Sequence, residues 1–135
     1  VEDKIMSIKK IITGLTLSLL LNSGVAVASD GNALLKYCQI AVNDMDGGSI
    51  EKFDYIKVGY CFGLIEGVRN AMVMYGASGD LRKDSFLHSC FPEDNIQNGQ
   101  AARIITSYLK KNPAELNKNG SALAMFAFID AYPCK

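Results

Sequence analysis

The apolar residues of this chain recur at helical spacing in four segments, and turn-forming residues separate those segments. The pattern predicts helices at about residues 32–45, 50–75 and 95–111. A fourth helix is predicted to begin at Asn112-Pro113, where an asparagine cap precedes a proline at the first helical position. No segment shows the alternation typical of strands. We therefore expect an all-α fold, a small bundle of about four helices.

The second predicted helix contains an unusual run of glycines. Gly59, Gly63 and Gly67 recur at every fourth position, and each costs up to about 1 kcal/mol of helix propensity relative to alanine. A smooth backbone strip that lets another helix approach closely would offset that cost. We expect this approach within the bundle, and the alternative is a contact between two copies of the chain. The expected apolar stripe of this helix comprises Phe53, Ile56, Tyr60, Leu64, Gly67, Ala71 and Tyr75.

The fourth predicted helix has no polar face, because apolar side chains point in every direction between residues 122 and 132. Such a helix is buried either at the centre of the bundle or by a second subunit. We expect it to be partly buried in a homodimer. Phe126 and Ile129, together with the three glycines of the second helix, are the candidates for the dimer interface.

Residues 1–28 have the pattern of a bacterial signal peptide. Lys9-Lys10 provides the basic region, residues 11–21 form an apolar run, and small residues end at Ala28 in the pattern that a signal peptidase cleaves. The apolar run is too short to cross a hydrocarbon core as a helix. Met6 is the expected start of translation, because the residues before it include acidic side chains that suit a signal peptide poorly.

Cleavage near Ala28 leaves residues 29–135 as a single domain of 107 residues, which is enough for one hydrophobic core. These residues carry 11 Lys and Arg against 12 Asp and Glu, a net charge near −1. Nucleic acids and anionic membranes are bound mainly through excess positive charge. We therefore expect no nucleic-acid partner and no membrane association after cleavage, with the mature domain in the periplasm.

All four cysteines lie after the expected cleavage site. An even number of cysteines in an exported chain indicates disulfides, whereas a lone histidine without a C-x-x-C motif argues against a metal site. Cys38 and Cys61 lie at similar distances from the first turn, on the two arms of an expected antiparallel hairpin. Cys90 precedes the third helix and Cys134 follows the fourth, at the same end of the second hairpin. The predicted disulfides are therefore Cys38–Cys61 and Cys90–Cys134.

The chain lacks a recognisable set of catalytic residues. His88 is the only histidine, and neither a free cysteine nor a serine and carboxylate arrangement accompanies it. Asp44, Asp46, Glu51 and Asp54 cluster around the first turn, where paired carboxylates that hydrolyse glycosides are one interpretation and helix capping is the other. We favour capping, and we expect a binding protein without cofactor or metal rather than an enzyme.

An ordered set of short motifs runs through most of the expected mature domain. It comprises Leu34-Leu35-x-x-Cys38, Tyr60-Cys61-x-Gly63-x-x-x-Gly67, Cys90-x-Pro92, Tyr108-Leu109-x-x-x-Pro113 and Ala131-Tyr132-Pro133-Cys134. This set resembles the Tai family of periplasmic immunity proteins, which protect against type VI secretion amidase effectors. The resemblance implies a disulfide-containing helical homodimer that binds a peptidoglycan amidase and occludes its active-site cleft. Tyr132 stands where phenylalanine is expected, which keeps the aromatic ring.

The surface that would face such an effector is expected around the start of the third helix. The polar connection before Cys90 and the acidic, amide-rich residues after it offer charges that suit the rim of a cleft. The expected contact residues are Asp80, Arg82, Lys83, Asp84, Glu93, Asp94, Asn95, Gln97 and Gln100. The alternative is a solvated loop followed by an ordinary helix cap, and the resemblance does not fix these positions.

Two other functions are compatible with the same features. A small periplasmic helical chaperone or stress protein would bind many unfolded clients through exposed apolar surface. An envelope enzyme would require carboxylates or His88 to be essential. An immunity protein would instead bind one folded enzyme tightly.

Overall fold

The computed structural model describes residues 29–77, 89–94 and 96–134. Four α-helices dominate this part of the chain, and no strand occurs in it. They are α1 (Gly31–Met45), α2 (Asp54–Ala77), α3 (Asn98–Lys111) and α4 (Gly120–Ala131), with a 3₁₀ turn at Pro113–Glu115 between the last two. Every pair of helices is in contact, and α1 packs most extensively against α2 and α3. The predicted all-α bundle of about four helices is confirmed.

The expected signal peptide, residues 1–28 with its start at Met6, lies outside the described residues. Within the described ranges, no helix combines the length and the hydropathy that a membrane crossing needs.

The second helix begins later than predicted. It starts at Asp54 rather than near Ile50, because the chain closes a turn first. The Asp54 backbone N–H donates to the Glu51 carbonyl oxygen at 2.9 Å, and the Asp54 side chain accepts a hydrogen bond from the Glu51 N–H at 3.3 Å.

The third helix also begins later, at Asn98 rather than residue 95. Its cap residue, Gln97, makes no side-chain capping bond. Glu93 and Asp94 therefore precede the first turn, which contains no acidic residue. Lys110-Lys111 occupies the last turn, where cations stabilise the helix dipole.

The predicted start of the fourth helix is wrong as well. Asn112 and Pro113 open only a single 3₁₀ turn, and the α-helix begins at Gly120. Its actual cap is Asn119, whose side chain accepts a hydrogen bond from the Ala122 N–H at 3.0 Å. A capping residue and a proline define a helix start only locally, and here the chain has to turn again to reach the start of α1.

Backbone hydrogen bonds tie the starts of α1 and α4 together. The Gly120 N–H donates to the Ser29 carbonyl oxygen at 2.8 Å, beside an isolated antiparallel bridge between Asp30 and Asn119. A methyl group at Gly120 would lie 2.9 Å from that Ser29 oxygen, so the approach requires glycine. Asp30 caps α1 by accepting a hydrogen bond from the Ala33 N–H at 2.9 Å. The first residues of α1 and α4 are therefore hydrogen-bonded to the same short stretch of backbone.

The disulfide between Cys38 and Cys61 lies in the middle of the hydrophobic core. Both residues are fully buried, and the bond joins α1 to α2 with their Cα atoms 5.2 Å apart. The second disulfide, Cys90–Cys134, joins the segment before α3 to the residues after α4. Both pairings are the predicted ones. The other buried apolar residues are Leu34, Ala41, Val58, Ile65, Met72, Ile96, Ala101, Ala102, Ile105, Leu109, Leu123, Ala124, Ala127 and Phe128.

The face that α2 turns to the core differs from the predicted stripe. Phe53 and Ile56, which belong to that stripe, are 76% and 75% exposed. The disulfide requires Cys61 to face α1, and this rotation directs the stripe outward. Because α2 is apolar on both sides, its periodicity alone does not specify which side is buried. The residues that it buries are Val58, Cys61, Ile65, Arg69 and Met72.

The described residues cover only part of α4, and its burial in a homodimer stays a prediction. Phe126 is 42% exposed and Ile129 is half-buried. The residues of α4 that enter the core are Gly120, Leu123, Ala124, Ala127 and Phe128.

The two disulfides should differ in their resistance to reduction of the native protein. Cys38 and Cys61 are fully buried, whereas Cys90 is exposed and Cys134 is half-buried. Thiol–disulfide exchange requires a thiolate to reach a sulfur atom. A mild thiol reductant should therefore open Cys90–Cys134 first, and alkylation followed by peptide mass spectrometry measures the order.

Reduction of both disulfides should also lower the free energy of unfolding. The chain-entropy model assigns about 3 kcal/mol to a bridge of 23-residue separation and about 4 kcal/mol to one of 44-residue separation. Urea denaturation of the oxidised and reduced protein is the matched comparison.

In the alkylation experiment, earlier opening of Cys38–Cys61 than of Cys90–Cys134, or simultaneous opening of both disulfides, would contradict the prediction that burial protects Cys38–Cys61.

Candidate functional site

The segment before α3 is fixed to the end of α4. Beside its disulfide, Cys90 donates its backbone N–H to the Tyr132 carbonyl oxygen at 2.9 Å. The Ser89 hydroxyl lies 3.1 Å from the Phe128 carbonyl oxygen and 3.2 Å from that of Tyr132, and it donates to this pair of acceptors. The Phe91 ring packs edge-on against Phe128 with the ring centroids 5.4 Å apart. We call residues 89–92 the anchored segment.

Four of the expected effector contacts lie close to the anchored segment along the chain. Glu93 and Asp94 form an exposed turn directly after it, and Gln97 and Gln100 are exposed at the start of α3. The Gln100 side-chain amide donates to the Tyr132 hydroxyl at 3.1 Å, which connects the start of α3 to the end of α4. The structure therefore places these polar side chains around one supported region.

The other five expected contacts fall outside the described residues, and so does His88. They are Asp80, Arg82, Lys83, Asp84 and Asn95. Their role at an effector-facing surface stays a prediction.

A groove of about 480 Å³ lies between α2 and the anchored segment. Arg69, Met72 and Val73 line it from α2, and Phe91 lines it from the anchored segment. We call it the Arg69 groove. Arg69 is not among the site residues predicted from the sequence. A signal was available, because Arg69 follows Cys61 by eight residues and so shares the helical face that the predicted disulfide turns inward.

The three glycines of α2 lie on its outer face and are exposed. A Cβ atom added at Gly59, Gly63 or Gly67 would meet no atom of the described residues within 4 Å. The expected close approach of another helix to these glycines is therefore not made by any of the described helices. Ile56 and Met74 flank the glycines on the same face and are 75% and 73% exposed. We call these five residues the α2 outer face.

A small apolar pocket of about 260 Å³ lies between α2 and α4. It is lined by Val68, Ala71, Met72 and Tyr75 of α2 and by Met125 of α4. Phe126, the partly exposed dimer candidate, follows Met125 directly in the chain. Apolar surface is therefore exposed on α4 as well as on α2.

Two of the four carboxylates around the first turn, Asp46 and Asp54, form ion pairs. Asp46 accepts hydrogen bonds from the Arg103 guanidinium at 2.6 and 3.1 Å, and Asp54 accepts one from Lys57 at 2.6 Å. These bonds hold the pKa of the Asp46 and Asp54 carboxyls below the ordinary value of 3.8. A glycosidase general acid needs a raised pKa instead. The two carboxylates therefore stabilise the turn between α1 and α2 and link it to α3.

Metal chemistry finds no support in the described residues. Among them, no group of three or more histidine, cysteine, aspartate or glutamate side chains is placed to hold a metal ion.

The comparison with protein families gives one match. The family model of Rap1a immunity proteins matches residues 30–134, from the cap of α1 to the last disulfide cysteine. The chain belongs to the Rap1a immunity protein family. No curated protein and no solved structure gives a significant match. An immunity protein binds a cognate effector, so the exposed surfaces of this Rap1a-family protein are the candidate functional sites.

The ion pair between Asp46 and Arg103 should stabilise this Rap1a-family protein at neutral pH, and this contribution should be lost in acid. The folded-state pKa of Asp46 lies below its ordinary value of 3.8, so the stabilisation is complete above that value. It is lost as the pH falls below about 3.8 through the folded-state pKa. The melting temperature of an Asp46→Asn variant should therefore fall less steeply than that of the wild type when the pH is lowered from about 5 to about 2.

The expected difference is small, because the pair is exposed and screened by solvent. Asp44→Asn is the matched control, since it removes the same charge from a neighbouring aspartate without an ion pair in the described residues. Identical acid profiles for Asp46→Asn and Asp44→Asn would refute the contribution.

Proposed function

We propose that this chain is a periplasmic immunity protein that binds a type VI secretion peptidoglycan amidase effector and inhibits it by occluding the active-site cleft. The observation that carries the proposal is the match of residues 30–134 to the Rap1a immunity family. The ordered motifs that resemble the Tai family support a peptidoglycan amidase as the target.

Two features support action in the periplasm. Residues 1–28 have the pattern of a signal peptide. Both disulfides suit an oxidising compartment. A peptidoglycan amidase acts outside the cytoplasm, so its inhibitor has to be exported to meet it.

The anchored segment supports inhibition by steric occlusion. A disulfide, backbone hydrogen bonds and the Phe91 ring hold the backbone next to Glu93, Asp94 and Gln97. A surface that is ordered before binding loses little conformational entropy when it meets its partner, which favours tight inhibition. In this proposal the polar residues 80–84 extend the same contact.

Export and protection should be inseparable in cells that receive the amidase. Expression of the full chain should prevent lysis by the amidase delivered to the periplasm, because inhibitor and effector then share a compartment. A version that starts with methionine followed by residue 29 should not protect, since residues 6–28 direct export in this proposal. Optical density after induction of the amidase measures lysis.

Cell fractionation is the control, and it should place the full chain in the periplasm and the truncated version in the cytoplasm. Lysis that the full chain does not reduce would overturn the proposed function. Protection by the truncated version would overturn the proposed compartment.

Gln97 provides a test of the effector-facing surface. It is exposed and makes no side-chain capping bond, so Gln97→Arg should keep the fold and lower the melting temperature only slightly, because a cation at a helix N-terminus opposes the helix dipole. The larger side chain should obstruct the amidase and weaken its binding at least about tenfold, or ~1.4 kcal/mol. Isothermal titration calorimetry with purified amidase measures the change.

Gln39→Arg is the matched control, because Gln39 is an exposed glutamine on α1. It should bind the amidase like the wild type. If both variants bind equally well, the start of α3 is not part of the contact.

The α2 outer face supports self-association as a homodimer. Three exposed glycines cost helix propensity, and no side chain or backbone of the described residues packs against them in compensation. A second copy of α2 packed along the glycines would recover this cost through close backbone approach and would cover Ile56 and Met74. Phe126 and Ile129 of α4 are further interface candidates, since the described residues cover neither of them fully.

A long polar side chain at the middle glycine should disrupt such a dimer. Gly63→Gln leaves the monomer unstrained, because a Cβ atom there meets nothing within 4 Å, but it keeps a facing helix away. Sedimentation equilibrium should show a dimer for the wild type and a monomer for the variant. Ser107→Gln, on the exposed side of α3, is the control and should remain dimeric. A monomeric wild type, or a dimeric Gly63→Gln variant, would refute this interface.

A helical periplasmic chaperone is the second candidate function, because Phe53, directly before α2, and Ile56 and Met74 on α2 are exposed. A chaperone keeps many unfolded clients in solution, whereas an immunity protein binds one folded effector. Light scattering from a heat-aggregating client enzyme separates the two functions. Suppressed aggregation without amidase binding would favour the chaperone, and tight amidase binding without suppression would favour the immunity protein.

A further inference from the structure

The Arg69 groove contains a charged side chain for which the described residues supply only one hydrogen-bond partner. Arg69 is only 7% exposed, although its guanidinium is charged at every physiological pH. It donates one hydrogen bond from Nη1 to the Ile96 carbonyl oxygen. Among the described residues no carboxylate forms an ion pair with it, since the ion pairs there involve other side chains.

The remaining donors of Arg69 open into the groove. A guanidinium has five N–H donors, and the hydrogen bond to Ile96 uses one of them. In the described ranges no fully enclosed side-chain nitrogen lacks a partner. The Arg69 nitrogens without a hydrogen bond are therefore accessible, and the space that they reach is the groove that Arg69 lines.

Packing alone does not account for an arginine at this position. The neighbouring core positions on the same face of α2, Ile65 and Met72, are apolar. A buried charge without a counter-charge destabilises a fold, and an apolar side chain of similar length would fill the same space without that cost. The charge therefore points to an acidic partner that is not among the described residues.

We propose that the Arg69 groove binds an aspartate or glutamate side chain that the cognate effector presents on an apolar segment. The planar guanidinium matches the two oxygens of a carboxylate. Met72, Val73 and Phe91 line the groove and would pack against the apolar neighbours of that side chain. Glu93 also lines the groove, and its negative charge repels an anion of higher charge, such as phosphate, more strongly than a single carboxylate. The inference rests on the proposed function, since it names how the effector is held.

A double-mutant cycle tests the proposed ion pair. Arg69→Met removes the charge and keeps an apolar side chain of similar reach. Arg103→Met is the matched control, because it removes the same charge from an exposed position on α3. Arg69→Met should weaken binding of the purified amidase at least about 30-fold, the lower range for truncating one partner of a buried charge pair, and Arg103→Met should not.

The carboxylate that pairs with Arg69 is identified by substitutions in the amidase. Each exposed aspartate and glutamate of the amidase is replaced by its amide, and one replacement should weaken binding as much as Arg69→Met does. Combined with Arg69→Met, that replacement should cause no further loss, since both remove the same pair. Circular dichroism shows whether each variant is folded. If Arg69→Met unfolds, Arg69→Lys serves in the cycle, because it keeps the charge and loses the planar fork.

A peptide titration tests the groove without the effector. The probe is acetyl-leucyl-glutamyl-leucinamide, and its neutral counterpart with glutaminyl in the middle is the control. In nitrogen-15 NMR spectra, the Arg69 Nε–Hε signal should shift with the glutamyl probe and not with the neutral one.

The outcomes separate this inference from the function on which it rests. If the wild-type chain binds no amidase, the proposed function fails and the peptide titration alone decides the groove. If the wild type binds and Arg69→Met binds equally well, the groove proposal is overturned while the immunity function stands. The groove proposal is also overturned if the double-mutant cycles find no aspartate or glutamate of the amidase that is coupled to Arg69.

Discussion

The buried disulfide between Cys38 and Cys61 is the constraint on which the arrangement of the bundle depends. It holds the Cα atoms of α1 and α2 5.2 Å apart at a fully buried level of the core. A helix fixed at one residue is fixed in rotation, so Ile65 and Met72, one and three turns further on, also face the core. The glycines on the opposite side are left in solvent. One covalent bond therefore decides both what the core contains and which face of α2 is available to partners.

The rest of the structure fixes the ends of the helices. Backbone hydrogen bonds join the starts of α1 and α4, and the second disulfide joins the segment before α3 to the residues after α4. The polar groups at helix ends have no partners within their own helix, and in a domain of this size they would otherwise depend on water. These joints give the surface around the start of α3 its support, and such support is what an inhibitor needs to bind tightly.

Two faces of α2 carry the proposed interactions, and they point in different directions. Arg69 lies on the inner face and opens into the groove beside the anchored segment. Gly63 lies on the outer face, six residues earlier and more than a quarter turn around the helix. Self-association through the glycines and effector binding at Arg69 therefore need not compete, because the helix separates them.

The sequence by itself determined the helical class, the four helical segments and the cysteine pairing. These depend on local periodicity and on matching levels in short hairpins, which neighbours in the chain specify. Only the tertiary structure decided which face of α2 is buried, because that helix is apolar on both sides and its pattern contains no information about its neighbours. The tertiary structure also decided that Asn119 rather than Asn112 caps α4, because the start of this helix has to reach Ser29. It decided as well that Arg69 is buried beside a groove, because the burial of one side chain depends on distant segments packed around it.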